Sequence, residues 1–166
     1  MEPFVIPPPT AENRRRILFA SSEAHPLIKT GGLADVAGAL PAALRELGHD
    51  ARLVIPAYPR AVRQLRELRT LGDLRLPSAR QTVRILGGRL PDSELPTYLV
   101  DAPDHFAREG NPYTDTSGRD WGDNADRFML FCEAIARIGL GSPLLDWRPE
   151  IIHCNDWQTG LVPALL

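Results

Sequence analysis

The feature that constrains this chain most is a short apolar segment followed by a glycine pair, an amphipathic segment and a second apolar segment. Residues 17–20 (Ile-Leu-Phe-Ala) predict a buried strand. Apolar residues then recur at helical spacing over 33–47, with Gly48 as a stop signal, and residues 51–55 predict another strand. Strand, loop, helix and strand in this order form a βαβ unit. The chain is therefore predicted to be α/β, with a Rossmann-like, doubly wound parallel sheet.

The rest of the chain continues this alternation of apolar segments and loops. A helix is predicted over 59–71, and its outer face, interpreted as solvated surface, carries Arg60, Arg63, Arg66 and Arg69. Residues 101–123, rich in aspartate, proline, glycine and asparagine, predict a long loop of the kind that is usually functional or mobile. The other predicted elements are strands at 82–86, 97–100 and 150–154, a helix that Asp123 caps, and a final helix that begins near Thr159.

Composition excludes several classes of protein. The net charge of −2 gives no footprint for nucleic acid or for an anionic membrane surface, and no apolar run approaches the roughly 20 residues that span a bilayer. Two cysteines exclude a disulfide framework and favour the cytoplasm. The cysteines and four histidines lack zinc-site spacing, so no metal is expected.

Residues 1–14 predict a proline-rich tail without the features of a secretory signal, and 15–166 predict the folded domain.

The strongest candidate site is the glycine loop, residues 29–32, which joins the first strand to the first helix. In doubly wound sheets ligands bind beyond the carboxyl ends of the strands. The backbone of Gly31 and Gly32 can approach a phosphate, and Lys29 supplies a mobile positive charge. The loop matches neither the dinucleotide fingerprint nor the phosphate loop of nucleotide hydrolases. A plain glycine turn is the alternative, but Lys29 is the single lysine among 19 basic residues, which favours a function.

A second candidate site follows the strand at 150–154. Asn155 and Asp156 place an amide and a carboxylate where a polyhydroxyl ligand such as a sugar could bind. The alternatives are that Asp156 is a helix N-cap and that His153 is a buried core histidine. His153 and Cys154 cannot pair as a thiol nucleophile and base, because neighbours in a strand point to opposite faces.

The long loop around Tyr113 combines aromatic, amide and carboxylate residues, a mixture typical both of carbohydrate sites and of loops in general. Taken together and in order, these segments resemble the family of bacterial glycogen synthases and plant starch synthases. The resemblance runs from about residue 16 to the last residue. It rests on Ser21-Ser22-Glu23, Lys29 to Val36, Asn111-Pro112-Tyr113, Asp123-Asn124 with Arg127-Phe128, and His153 to Gly160.

The resemblance implies a GT-B glycosyltransferase with two Rossmann-like domains facing a cleft. Such an enzyme transfers glucose, with retention of configuration, from ADP-glucose to the non-reducing end of an α-1,4-glucan such as glycogen or starch. It requires neither a metal nor a cofactor, since ADP-glucose is a substrate. The partners implied are therefore ADP-glucose and the glucan acceptor, with no nucleic acid and no membrane.

The same resemblance assigns roles to individual residues. Lys29 is implied to contact the diphosphate of ADP-glucose, and the backbone of Gly31 and Gly32 to approach the phosphates and the reacting sugar. Asp156 is implied to be the catalytic carboxylate at the glucosyl site. The other residues implied to bind substrate are Asp35, Tyr113, His153 and Asn155, the last of which stands where many bacterial members have histidine.

The resemblance also predicts what this sequence lacks. It predicts an incomplete N-terminal domain and an absent C-terminal domain, which in this family carries the site for the nucleotide base. A chain of 166 residues is therefore expected to be an inactive fragment of a synthase. The alternative is a stand-alone, non-catalytic module that binds a nucleotide-sugar or a glucan.

Overall fold

A computed structural model describes Thr10 and residues 13–166. The strands are β1 (Arg16–Ala20), β2 (Asp50–Pro56), β3 (Arg66–Leu76), β4 (Gln81–Arg89), β5 (Pro96–Asp101) and β6 (Ile151–Cys154). The helices are α1 (Gly32–Glu46), α2 (Pro59–Gln64), α3 (Pro103–Phe106), α4 (Asn124–Gly139) and α5 (Val162–Leu165), with a 3-10 helix at Trp157–Thr159. The tail predicted at 1–14 lies almost entirely outside the described residues.

The strands form a single mixed sheet in the order β3-β4-β5-β2-β1-β6. Strands β5, β2, β1 and β6 are parallel, whereas β3 and β4 form a hairpin that joins β5 antiparallel. Ile17 of β1 pairs with Ala51 of β2, as the βαβ prediction requires. Leu18, Phe19 and Ala20 are fully buried in β1, which lies between β2 and β6, and this burial explains the uninterrupted apolar run. The predicted α/β class is confirmed, with a sheet that is mostly parallel and carries the β3–β4 hairpin as an antiparallel addition.

The helix predicted over 59–71 is wrong beyond its first part. Helix α2 ends at Gln64, Glu67 then adopts a left-handed backbone with φ of 52°, and the chain continues as β3. Strand β3 pairs with β4 along its length, so hairpin pairing overrides the helical spacing of the leucines. Arg66 and Arg69 consequently lie on the hairpin rather than on a helix face.

Helix α4 packs deeply against the sheet. The predicted helix after Asp123 is present, and the following side chains on its apolar face are all buried: Phe128, Phe131, Cys132, Ile135 and Ile138. Asp123 occupies the N-cap position, but its side chain makes no capping hydrogen bond. It forms a bidentate ion pair with Arg108 instead, at 2.6 and 2.8 Å, because an arginine fork offers a carboxylate two parallel donors. Among the residues that the structure describes, every helix falls short of the length and apolar character that a bilayer-spanning helix needs.

A polar network closes the amino end of β2. The Asp50 carboxylate accepts hydrogen bonds from Trp147 Nε1 at 2.9 Å and from Arg52 Nη2 at 3.2 Å. Burial opposes ionisation of Asp50, but the hydrogen bonds from Arg52 and Trp147 outweigh it and hold the pKa of this carboxyl below its usual range. The network ties β2 to the segment that leads into β6.

Because the pKa of Asp50 is lower in the folded chain than in the unfolded chain, its ionised form stabilises the fold above about pH 4. That stabilisation is lost as the pH falls through the folded-state pKa. We expect Asp50→Asn to lower the free energy of unfolding at pH 7 by about 1–3 kcal/mol, and by less at pH 3. Urea unfolding at both pH values measures this, with the exposed Asp120→Asn as the control. An equal loss at both pH values would contradict it.

Candidate functional site

The two strongest candidate segments lie side by side at one edge of the sheet. Strands β1 and β6 are parallel neighbours, with Ala20 opposite Cys154, so the chain leaves both strands at the same edge. The Asn155 side chain joins the two exits, because its Nδ2 donates to the Ala20 carbonyl at 2.9 Å. The glycine loop and the segment after β6 therefore belong to one surface, at the carboxyl ends of parallel strands where such folds bind ligands.

The two glycines of the loop are open to solvent. Gly31 is the N-cap of α1 and Gly32 is its first residue, and both are exposed. A Cβ atom at either position would meet nothing within 4 Å, and Gly31 has an extended backbone with φ of −149°. Neither internal packing nor a left-handed turn therefore requires glycine here. The open space leaves the backbone N–H groups at the start of α1 accessible to an anion from outside.

Lys29 is paired within the protein rather than free. Its Nζ lies 2.6 and 2.7 Å from the two carboxylate oxygens of Asp35, in the first turn of α1. Both side chains are about half exposed, at 47% and 56%. An ion pair this exposed contributes little to stability, so an incoming anion can take the place of Asp35. Sequence reasoning selected both residues as binding candidates but did not predict that they bind each other.

A buried carboxylate shapes the glycine loop from beneath. Glu23 is 2% exposed and accepts hydrogen bonds from the backbone N–H and the hydroxyl of Thr30. It also accepts from the Tyr113 hydroxyl at 3.2 Å. Sequence reasoning missed this positioning role. The available signal was an acidic residue three positions after a buried apolar strand, where a charged group needs dedicated partners.

Tyr113 connects three segments of the site. Because its hydroxyl donates to Glu23, it accepts from Ser22 Oγ, at 2.8 Å. Its ring centroid lies 6.5 Å from that of Trp157, the residue after Asp156. Burial, reinforced by the neighbouring Glu23, raises the pKa of Tyr113 to about 12, so the hydroxyl keeps its proton. The structure thus brings the predicted residue Tyr113 to both halves of the site.

Asp156 has a backbone conformation that side chains rarely adopt. Its φ is 63° and its ψ is 179°, a region populated almost entirely by glycine. Its side chain is exposed and accepts from the Trp157 N–H at 2.7 Å, which makes it the N-cap of the 3-10 helix. The predicted cap is therefore present. A non-glycine residue in this conformation costs about 1–3 kcal/mol, and such strain is concentrated at functional sites.

His153 lies on the exposed side of the same edge. The interpretation of His153 as a buried core histidine is wrong, because β6 is the outermost strand of the sheet and the residue is exposed. Its ring stacks on Phe19 with centroids 4.6 Å apart. Asn155 Nδ2 contacts the His153 carbonyl at 3.1 Å. Both side chains are therefore held in place at the rim next to Asp156.

A buried arginine anchors the long loop that carries Tyr113. Arg127, in α4, is 1% exposed and donates to the carbonyls of His105 and Pro112, at 2.7 and 3.0 Å, and to Asn124 Oδ1. These bonds fasten the end of α3 and the Pro112 segment, directly before Tyr113, to the first turn of α4. Sequence reasoning did not assign Arg127 a role in the site, although a charged residue beside an apolar helix face is a recognisable signal of a buried network.

The fold is a doubly wound α/β domain. A cation, open glycine backbone and a carboxylate share the carboxyl edge of its sheet. Proteins that bind phosphorylated sugars or nucleotides have this combination of fold and site. The model of the starch synthase catalytic domain matches residues 16–166. The chain belongs to the starch synthase catalytic domain family, and the resemblance found in its sequence is confirmed.

Named relatives agree with this family. The chain is 56% identical over 151 residues to glycogen synthase 2 of Nitrosococcus oceani, covering 91% of the chain and 30% of that protein. It is 51% identical over 151 residues to glycogen synthase of Rhodospirillum rubrum, covering 91% of the chain and 31% of that protein. The chain thus spans about a third of the length of these relatives.

A solved structure shows the same fold. The catalytic domain of starch synthase IV from Arabidopsis thaliana, bound to ADP and acarbose, superimposes with a TM-score of 0.71 at 28% identity. The match covers 90% of this chain and 29% of that one. The fold is therefore that of part of a GT-B starch synthase catalytic domain.

Proposed function

We propose that the protein containing this chain is a glycogen (starch) synthase, which transfers glucose with retention from ADP-glucose to an α-1,4-glucan in the cytoplasm. The chain would supply the part of the donor site that holds the diphosphate and the glucosyl group. Membership of the starch synthase family supports this proposal. The observation that carries it is the open glycine loop with Lys29, adjacent through Asn155 to the strained Asp156.

The proposed role of Lys29 follows from charge development in the reaction. Breaking the bond between the glucosyl group and the phosphate builds negative charge on the departing diphosphate. A fixed cation and N–H donors at that point stabilise the transition state more than the ground state. Asp35 holds Lys29 beside the loop at 2.6 Å, and the diphosphate would replace this carboxylate as its partner.

The proposed role of Asp156 is to face the glucosyl group while the diphosphate leaves from the glycine loop. Positive charge develops on the sugar as the bond breaks, and a nearby carboxylate stabilises it. The 3-10 helix and the hydrogen bond to Trp157 fix the direction of this side chain. Tyr113, His153 and Asn155 would line the sugar on the same rim.

We expect Asp156→Gly and Asp156→Ala to lose transfer activity alike but to differ in stability. Both remove the carboxylate and the cap, whereas only glycine adopts φ of 63° with ψ of 179° without strain. The glycine variant should therefore be more stable than the alanine variant by about 1–2 kcal/mol. Thermal unfolding together with initial rates tests this. A glycine variant that is no more stable than the alanine variant, or one that keeps wild-type activity, would contradict the expectation.

Calorimetry with ADP-glucose tests the proposed function. We expect the full-length protein to bind ADP-glucose more tightly than UDP-glucose and to extend glycogen. The 166 residues alone should not extend glycogen, because the family places the site for the nucleotide base in a second domain. A full-length protein that binds a glucan but no nucleotide-sugar would support a non-catalytic module and overturn the proposal. Glucan extension by the 166 residues alone would overturn the proposal that the transfer also needs a second domain.

A further inference from the structure

The strained backbone of Asp156 needs contacts that hold it in place. A residue keeps such dihedral angles only where the surrounding structure outweighs the strain. The Asp156 carboxylate accepts a hydrogen bond from the Trp157 N–H, but this side chain is exposed, so water competes for it. A buried group that fixes the backbone on both sides of Asp156 is therefore expected.

The Thr159 hydroxyl meets this requirement. Thr159 is fully buried, and its Oγ1 lies 2.9 Å from the Asn155 carbonyl oxygen and 3.2 Å from the Asp156 carbonyl oxygen. The first carbonyl belongs to the peptide plane before Asp156 and the second to the plane after it. Because each peptide unit is planar, φ and ψ of Asp156 set how these two planes are oriented relative to each other. A hydroxyl that contacts both carbonyls therefore holds both angles.

The residue between the two acceptors is what distinguishes Thr159 from other threonines. A threonine in a helical turn often bonds a carbonyl three or four residues before it. Here the backbone between the two carbonyls has φ of 63° and ψ of 179°. If Asp156 relaxed to an ordinary backbone, at least one of the two planes would turn and carry its carbonyl away from the hydroxyl. The buried hydroxyl would then lose an acceptor, which is unfavourable.

Helix α4 holds the 3-10 helix that carries Thr159. Cys132 Sγ donates to the Gln158 carbonyl at 3.2 Å. The Phe128 ring packs edge to face against Trp157, with centroids 5.1 Å apart. Phe128 and Cys132 stand four residues apart on α4 and so lie on one face of it. The Thr159 hydroxyl therefore acts from a fixed position.

We propose that Thr159 is a positioning residue for Asp156, and that its hydroxyl sets the direction in which the Asp156 carboxylate faces the glucosyl group. The kinetic consequence rests on the proposed function. The Cα–Cβ bond turns with the backbone, so relaxation of φ and ψ would move the carboxylate away from the sugar. A misplacement of about 1 Å can cost about 100-fold in rate.

Thr159→Val in the full-length protein removes the hydroxyl and keeps the branched shape of the side chain. We expect kcat for transfer from ADP-glucose to fall about 10- to 100-fold. The KM for ADP-glucose should change little, because Lys29 and the glycine loop are proposed to hold the diphosphate. Thr159→Ser keeps the hydroxyl and should retain most of the wild-type kcat. Initial rates at varied ADP-glucose measure both parameters.

Thr97→Val is the matched control. Thr97 is also buried, and its hydroxyl also donates to a backbone carbonyl, that of Leu95, at 3.0 Å. It lies at the amino end of β5, away from the carboxyl edge of the sheet that carries Asp156. This variant should keep the wild-type kcat. Wild-type kcat in Thr159→Val, or a Thr159→Ser variant as impaired as Thr159→Val, would overturn the proposal.

A double-mutant cycle on thermal unfolding tests the same contact without using activity. In the wild-type background, Thr159→Val loses a hydrogen bond but lets Asp156 relax. In the Asp156→Gly background there is no strain to release. We therefore expect Thr159→Val to lower Tm more in Asp156→Gly than in the wild type. Equal decreases in the two backgrounds would overturn the proposal.

The cycle also separates this role of Thr159 from the proposed function. A wild-type protein that transfers no glucose from ADP-glucose would refute the proposed function, and the unfolding cycle alone would then decide the role of Thr159. Transfer by the wild type together with equal Tm decreases would overturn the role of Thr159 and leave the proposed function standing.

Discussion

Replacing Lys29 with alanine in the full-length enzyme is expected to lower kcat/KM for ADP-glucose by about 10- to 150-fold. A hydrogen bond to a charged group contributes about 1.5–3 kcal/mol, and each 1.4 kcal/mol of transition-state stabilisation is about tenfold in rate. Stability should change little, because the ion pair of Lys29 with Asp35 is about half exposed. Initial rates at varied ADP-glucose, with glycogen saturating, measure the effect.

Two further variants sharpen the test of Lys29. Lys29→Arg keeps the charge but replaces a compact ammonium with a planar fork, so its rate should lie between those of wild type and the alanine variant. Arg137→Ala removes an exposed cation from the last turn of α4, which contributes none of the residues assigned to the donor site, and should leave donor kinetics unchanged. Unchanged donor kinetics in Lys29→Ala would refute the assignment of this residue.

Replacing Glu23 with alanine is expected to lower the free energy of unfolding by about 2–4 kcal/mol. The change leaves the N–H and hydroxyl of Thr30 and the hydroxyl of Tyr113 without their buried acceptor. A domain of this kind has about 5–15 kcal/mol of stability in total, so the loss is a large share of it. Because Glu23 shapes the glycine loop, the KM for ADP-glucose should rise as well. Chemical denaturation and steady-state kinetics measure the two effects.

Glu46→Ala is the matched control for this variant. Glu46 is exposed in the last turn of α1 and should change stability by less than about 0.5 kcal/mol. Glu23→Gln keeps one acceptor oxygen and should fall between the two alanine variants. A Glu23→Ala protein as stable as the control would show that this carboxylate does not organise the loop.

The βαβ unit could be predicted because its signals are local. Strand β1 is buried on both faces and therefore reads as a continuous apolar run, and the helix after it shows its own periodicity. Residues 66–71 could not be predicted in the same way. Their leucines fit helical spacing, but pairing with β4 decides their structure, and pairing between strands is a non-local property.

The chemistry-bearing residues of the site could also be selected from the sequence, since Lys29 and Asp156 follow strands that the pattern identifies. Their partners could not. The ion pair of Lys29 with Asp35 and the contact of Glu23 with Tyr113 depend on side-chain geometry across separate loops. The left-handed backbone of Asp156 left no sequence signal, because the usual sign of such a conformation is glycine.

Transfer of labelled glucose from ADP-glucose to glycogen by the full-length protein, followed by NMR analysis of the new linkage, tests the central claim most directly. We expect incorporation of label through α-1,4 bonds at the non-reducing ends, and loss of incorporation in Asp156→Ala. No incorporation from ADP-glucose, or a product with β-linked glucose, would contradict the proposed function.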